Sequence, residues 1–200
     1  NGDSTNTTLG MEKLLKRNQT TRHYTYANLA IKESHNYIED VEIETQKRHL
    51  AVFSSGWRGD KNLGDTKFDW RLGGKWGLSA FGAMDDVPGP AVSQFSALEA
   101  KANLKKPVHN NKLIYNSTLA AQISQQELPG SEQFGVGGRY DVRGFHEDSL
   151  FGNSGIYWRN ELETPEKIHG SVKVKHYIGL DIGKVKNAAT VSWTNPTIAG

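Results

Sequence analysis

The sequence predicts an all-β protein, and three features carry that prediction. Apolar and polar residues alternate with period two along several stretches. Several of those stretches reach ~10 residues, the length a tilted strand needs to cross a bilayer. The connections between them alternate between tight turns and long loops. Two architectures fit this pattern. One is a soluble sheet with a solvated outer face. The other is a transmembrane antiparallel barrel, which hides its membrane signal by alternating lipid-facing apolar residues with polar lumen residues.

Taken in order, the opening segment (Gly2, Ser4, Thr5, Asn6, Thr7, Thr8) reads as a loop. Candidate strands follow at 22–33, 41–56 and 65–74. Residues 75–92 carry Asp85, Asp86, Pro88 and Pro90 and read as a long connection. Over 98–105, Leu98, Ala100, Ala102 and Leu104 share one face, while Glu99, Lys101, Asn103 and Lys105 share the other. Helix propensity also favours these residues, but Pro107 and the turn at His109-Asn110-Asn111 argue for a strand. After that turn, Leu113, Tyr115, Ser117, Leu119, Ala121 and Ile123 alternate with Lys112, Asn116, Thr118 and Gln122. Residues 125–155 form a second long connection. Ile156, Trp158, Asn160 and Leu162 then alternate with Tyr157, Arg159, Glu161 and Glu163. A tight turn is expected at Thr164-Pro165-Glu166-Lys167. One long strand is expected beyond it, with Val172, Val174, His176, Ile178, Leu180 and Ile182 opposite Lys173, Lys175, Tyr177, Gly179, Asp181 and Gly183. A last strand lies near 188–194. The total is about eight or nine strands.

Bulk composition bounds the alternatives. In 200 residues the net charge is only +2, which excludes the basic bias of a nucleic-acid binder. No run of 18 apolar residues occurs, so neither a transmembrane helix nor a signal peptide is expected, while a mean hydropathy of −0.61 leaves a membrane barrel open. There are no cysteines, so neither disulfides nor thiolate metal sites contribute. The seven histidines are scattered without a pair at ligand spacing, and no metal site is expected. Gly135-Val136-Gly137-Gly138 is followed by no Gly-Lys-Ser/Thr, so it is not a phosphate loop. Arg58-Gly59-Asp60 falls between candidate strands and reads as an accidental tripeptide. The sequons Asn18-Gln19-Thr20 and Asn116-Ser117-Thr118 carry no weight. Trp57, Trp70, Trp76, Trp158 and Trp193 sit near strand ends or on apolar faces, as an aromatic girdle or a buried core requires. No serine, histidine and acid arrangement or carboxylate pair marks an enzyme.

Two features point to a site. Val142-Arg143-Gly144-Phe145 follows a glycine-rich approach (Gly135, Gly137, Gly138), and an arginine in that setting suits a loop that tucks a charge into an interior. Parity puts Asp181 on the charged face between Gly179 and Gly183, which leaves open space beside its carboxylate. Arg143 would fill that space with a directional Arg–carboxylate pair. Lys173 or Lys175 on the same strand is the competing partner. The charged face as a whole (Arg159, Glu161, Glu163, Lys173, Lys175) must point to a hydrated or densely paired space, because an arginine or lysine at mid-bilayer costs about 2–4 kcal/mol.

The run Gly137-Gly138-Arg139-Tyr140-Asp141-Val142-Arg143-Gly144-Phe145, followed by Gly155-Ile156-Tyr157-Trp158-Arg159-Asn160-Glu161-Leu162, resembles the two-partner secretion transporters (TpsB proteins), the hemolysin-activator type of the Gram-negative outer membrane. Gly179-Leu180-Asp181-Ile182-Gly183 is similar to the family's strand motif, although the superfamily often has an aromatic residue where Gly179 or Leu180 stands. Looser similarity reaches Ser34–Asp40 and Gln46-Lys47-Arg48. The resemblance implies a sixteen-stranded barrel with POTRA domains. It implies that the Val142–Phe145 loop folds back into the lumen and that Arg143 contacts Asp181. Residues 1–200 are then expected to be a partial C-terminal barrel domain that does not fold alone. The POTRA domains and the closing strands would lie outside it. The implied function is type V secretion of one large exoprotein (a hemolysin, adhesin or contact-dependent toxin) through a porin-like, monomeric channel in outer-membrane lipid. No cofactor, nucleic acid or enzymatic step is implied. The exported chain's own folding outside would supply the drive. An outer-membrane assembly insertase of the same superfamily and a soluble β-sandwich binding module are the alternatives.

Overall fold

The alternation resolves into one continuous antiparallel sheet in a computed structural model. It describes residues 2–38, 41–42, 48–84, 92–138, 141–143, 149–169, 172–187 and 197–199. Its long strands are β1 (Gly2–Arg17), β2 (Thr21–Ile38), β4 (Arg48–Leu63), β5 (Thr66–Leu78), β6 (Ser96–Val108), β7 (Leu113–Ile123), β10 (Ser154–Glu163) and β13 (Tyr177–Lys186). Short strands are β3 (Val41–Glu42), β8 (Phe134–Val136), β9 (Leu150–Gly152), β11 (Lys167–His169), β12 (Val172–Val174) and β14 (Thr197–Ala199). The sheet order is β1-β2-β4-β5-β6-β7-β10-β13-β14, with β3 attached to β2. Each long strand pairs with the next long strand in the chain, which is the up-and-down path of a barrel wall.

Three tight turns lie at one end of the sheet, which also carries the longer β10–β13 connection. Asn18 closes the β1–β2 turn by accepting the backbone N–H groups of Thr20 (3.0 Å) and Thr21 (2.7 Å) through its side-chain oxygen. The β4–β5 turn passes through Gly64 at φ +59°, a left-handed conformation that glycine adopts without a Cβ clash. His109, Asn110 and Asn111 all take positive φ in the β6–β7 turn. The β2–β4, β5–β6 and β7–β10 connections lie at the opposite end and are longer.

The pairing register keeps two faces distinct across the sheet. Leu98 faces Ile123, Ala102 faces Leu119, Leu119 faces Trp158, and Trp158 faces Ile182. This apolar face carries Phe53, Trp57, Phe68, Leu72 and Trp76 in the earlier strands, all substantially exposed. Trp57 and Trp70 meet edge to face at 5.3 Å, and Phe53 stacks with Trp76 at 5.9 Å. Exposed tryptophans on a continuous apolar face are the arrangement of a girdle, not of a core. Trp193 lies outside the described residues. The opposite face is charged, with Arg58 paired to Glu12, Arg22 to Asp60 at 3.0 Å, and Lys75 to Glu99 at 3.0 Å. Arg58 stacks over Tyr24 and Arg71 over Tyr26, at 4.2 and 4.0 Å.

Both buried apolar clusters lie where the 124–153 connection folds onto the charged face. One joins Leu50, Val52, Phe95 and Ala97 to Leu128. The other joins Ala120, Tyr157 and Val185 to Val136 and Val142.

Five expectations are corrected. The opening residues are not a loop: β1 pairs with β2 from Gly2↔Asn36 onward. The candidate strand 41–56 divides into β3 and a β4 that begins later and runs on to Leu63. Arg58-Gly59-Asp60 therefore lies within a paired strand, with Gly59 pressed against the Trp70 ring. The strand expected over 172–183 is two strands. The β10–β13 ladder ends at Glu163↔Tyr177, and the Thr164 N–H donates to the His176 carbonyl at 2.8 Å. Residues beyond that closure pair among themselves as β11 and β12. The tight turn at Thr164–Lys167 is therefore replaced by a longer excursion, and Lys173 leaves the main sheet. The final strand expected at 188–194 falls outside the described residues.

Candidate functional site

The Arg143 site is assembled from one connection and two strands. Asp141 organises the approach. Its side-chain oxygen accepts the N–H groups of Gly137 (3.2 Å), Gly138 and Val142 (2.7 Å), folding the chain tightly around one carboxylate. Gly137 sits at φ +113° within this turn. Val142 is thereby pressed against the charged face with no exposed surface, and Arg143 follows it inward.

Arg143 then uses most of its donors. Nε donates to Asp181 Oδ2 at 2.7 Å and Nη2 donates to Oδ1 at 2.9 Å, a two-pronged pair. The Arg143 backbone N–H adds a bond to Oδ2 at 3.1 Å. Nη1 donates to Glu161 Oε2 at 2.5 Å, and Nη2 also reaches the Asn160 carbonyl at 3.0 Å. Asp181 is 1% exposed, so this pairing takes place largely out of water. The Asn160 N–H donates to Asp181 Oδ1 at 3.1 Å, leaving the carboxylate with both side-chain and backbone donors. The hydrogen bond that the guanidinium donates to Asp181, ahead of the opposing effect of burial, raises its pKa. The planar fork matches the carboxylate in a way a lysine would not.

Glycines make room for it. A Cβ on Gly179 would collide with Arg143 Nη2, and one on Gly183 would meet Val136 Cγ1 at 2.5 Å and Val142 Cγ2 at 2.9 Å. Gly179→Ala would displace only the end of a flexible side chain, yet that end is fixed by several bonds. The expected cost is about 1–3 kcal/mol. It should appear as faster proteolysis within 137–149 on a barrel that is otherwise folded. Unchanged cleavage would show that the guanidinium has room to spare.

The remaining candidate residues divide. Arg159 lies 3.6 Å from Glu161 on the same charged face. Glu163 and Lys175 form a pair at 2.6 Å where β10 and β13 end. The Glu163 hydrogen bond raises the Lys175 ammonium pKa. Lys173 instead meets Glu166 at 3.0 Å, and its side chain is 68% exposed. Gly144 and Phe145 fall outside the described residues. Among the described residues, no cluster of histidine or acidic side chains could hold a metal ion.

Three residues escaped the sequence reading. Glu132, in a single 3-10 turn (Gly130–Glu132), is 4% exposed and meets Lys32 Nζ at 2.5 Å and Lys75 Nζ at 3.4 Å. Gln122 of β7 donates to the Glu132 carbonyl and to the Asn153 carbonyl, each at 3.1 Å. Asn153 accepts the Leu128 N–H at 2.7 Å. The signal available was a glutamine on an otherwise charged face. Between this connection and the sheet lies an open pocket of ≈ 380 Å³, lined by Arg71, Glu99, Lys101, Gln122, Phe134 and Tyr157 among others.

A family model described as haemolysin secretion/activation protein ShlB/FhaC/HecB matches residues 1–200. The chain belongs to this family. Two ShlB/FhaC/HecB relatives are the outer membrane transporters CdiB of Escherichia coli O6:K15:H31 and CdiB-2 of Burkholderia pseudomallei. The first is 32% identical over 80% of this chain and the second 29% identical over 82%. The hemolysin transporter protein ShlB of Serratia marcescens is 26% identical over 78% of the chain. The chain spans less than a third of these relatives' length, 28–29% of each. Among solved structures, CdiB from Escherichia coli superposes with a TM-score of 0.86 at 28% identity, covering 96% of this chain and 36% of that one. CdiB from Acinetobacter baumannii, at 22% identity, gives 0.82 and shows the same fold. The sheet therefore has the fold of part of the CdiB barrel, within the ShlB/FhaC/HecB family.

Proposed function

We propose that the protein containing this chain exports one large partner exoprotein across the outer membrane. The charged face would line the lumen, and the segment around Val142–Phe145 would be tucked into it. Lipid would meet the opposite face, where Leu98, Leu119, Trp158 and Ile182 form an uninterrupted apolar surface. The observation that carries the reading is the Arg143–Asp181–Glu161 cluster, which fixes a long connection onto the charged side of a transporter wall. A segment held there narrows the path and must be displaced or bypassed by a passing chain. The charged, tyrosine-stacked wall offers many weak polar contacts to an extended polypeptide and no deep apolar trap. The exoprotein's folding outside would provide direction. Two kinds of exoprotein are suggested by relatives, since some are named CdiB and others hemolysin transporters.

The experiment is a secretion assay of the full-length protein with its neighbouring exoprotein in a Gram-negative host. The exoprotein is expected in the medium, and in the periplasm when the transporter is deleted. Exoprotein exported equally without the transporter would overturn the reading. A deletion phenotype of general barrel-assembly failure would favour the insertase instead.

A further inference from the structure

Arg143 is not the only charged residue of the 124–153 connection that docks on the sheet. Glu132 carries the opposite charge and docks on the opposite flank. Its carboxylate takes Lys32 of β2 and Lys75 of β5, while its carbonyl takes Lys75 Nζ at 3.0 Å and Gln122 of β7 at 3.1 Å. A flat sheet would hold β2 and β7 roughly 19 Å apart, four strand spacings. Glu132 spans that distance through the long side chains of Lys32 and Gln122, which ties a run of five neighbouring strands to one residue of the connection. Lys75 is itself 8% exposed and shared with Glu99, so the cluster is balanced in charge, with Lys75 and Glu132 buried and Lys32 and Glu99 at its open edges.

The two docking points also differ in depth. Gln122 is in register with Gly155, and Gly155 with Val185. Asp181 lies four residues farther along β13, roughly 13 Å deeper at strand rise. Between them the chain makes the Asp141 turn and buries Val136 and Val142.

We propose that Glu132 is a positioning residue: the base anchor that fixes where the segment leaves the wall, so that Arg143 at its tip reaches Asp181. This rests on the reading of the charged face as the lumen. The Arg143 contact locks the tip, and the Glu132 contact sets the base. Loss of the tip lock frees the tip alone, and loss of the base anchor frees both.

The test uses the full-length transporter in lipid vesicles with single reporter thiols, Leu128→Cys beside the base and Val142→Cys beside the tip. These 200 residues hold no cysteine, and any elsewhere in the full-length protein is first replaced by serine. The readout is the rate of reaction with a polar maleimide. Glu132→Gln keeps the shape and removes the charge. It is expected to raise labelling roughly tenfold at both reporters, as loss of charge-assisted hydrogen bonds does. Arg143→Ala should raise it only at Val142→Cys, and Glu132→Asp should restore most of the protection. The joint Lys32→Gln, Lys75→Gln variant removes the same contacts from the wall side and should act as Glu132→Gln does. Protection of Leu128→Cys in Glu132→Gln would overturn the anchor, as would freeing of the base with the tip still protected. The expected labelling pattern with unchanged exoprotein secretion in every variant would support the anchor and count against the transport role.

Discussion

Replacing Arg143 with alanine is expected to reduce exoprotein secretion by roughly tenfold or more while leaving the barrel inserted. The substitution removes both prongs of the Asp181 pair, the Glu161 bond and the Asn160 carbonyl bond together. Asp181 stays buried and keeps only its backbone donors, while Glu161 keeps Arg159 at 3.6 Å. Breaking a buried pair by removing one partner costs about 3–5 kcal/mol, most of it the stranded charge. That energy is differential, because an undocked segment lets water reach Asp181. It therefore shifts the docked state and not the sheet ladder. The apolar face is untouched, so insertion should be normal. Lysine at 143 would restore the charge but not the planar fork, and an intermediate phenotype is expected. Exchanging the two side chains (Arg143→Asp with Asp181→Arg) should recover part of the activity, although Glu161 would then face a carboxylate. Secretion at the parental level by Arg143→Ala would remove the segment from the mechanism.

The legible parts of this fold were those with one predominantly apolar face. β6, β7, β10 and the second half of the 172–183 stretch declare themselves, because Leu98 to Leu104, Leu113 to Ile123, Ile156 to Leu162 and Ile178 to Ile182 alternate cleanly. β1 was hidden because Asp3 to Thr8 are polar on both faces, and only the register with β2 makes them a strand. The end of β4 was hidden for the same reason, since Arg58, Asp60, Lys61 and Asn62 leave little contrast. The break at 175–176 failed in the other direction. Alternation continues through it, and only the closure of Thr164 onto His176 ends the ladder. At the site, parity was enough to find the face and the position of Asp181. It left Arg143 and two lysines as competing partners. Glu132 gave no sign, because its lysines lie 57 and 100 residues away in the chain and no local pattern marks them.

Adjacent residues on one strand offer a sharper test of the two faces than any count of apolar positions. Leu119 lies mid-strand in β7, cross-strand from Ala102 and Trp158, on the apolar side. Thr118 lies one residue earlier, on the charged side, and its hydroxyl donates to Asn103 Oδ1 at 2.9 Å. A one-residue step turns the side chain from one face to the other. Leu119→Arg is therefore expected to destabilise the inserted barrel by about 2–4 kcal/mol, the cost of an arginine at mid-bilayer depth. Thr118→Arg enters a hydrated face beside Arg159 and loses one neutral hydrogen bond, so about 1 kcal/mol is the expected cost. Folding of the full-length protein into vesicles, followed by heat-modifiable migration against urea, measures both. Leu119→Arg should lower the midpoint far more than Thr118→Arg. Equal losses would mean that lipid does not distinguish the faces, and the assignment of the charged face to the lumen would fall with that result.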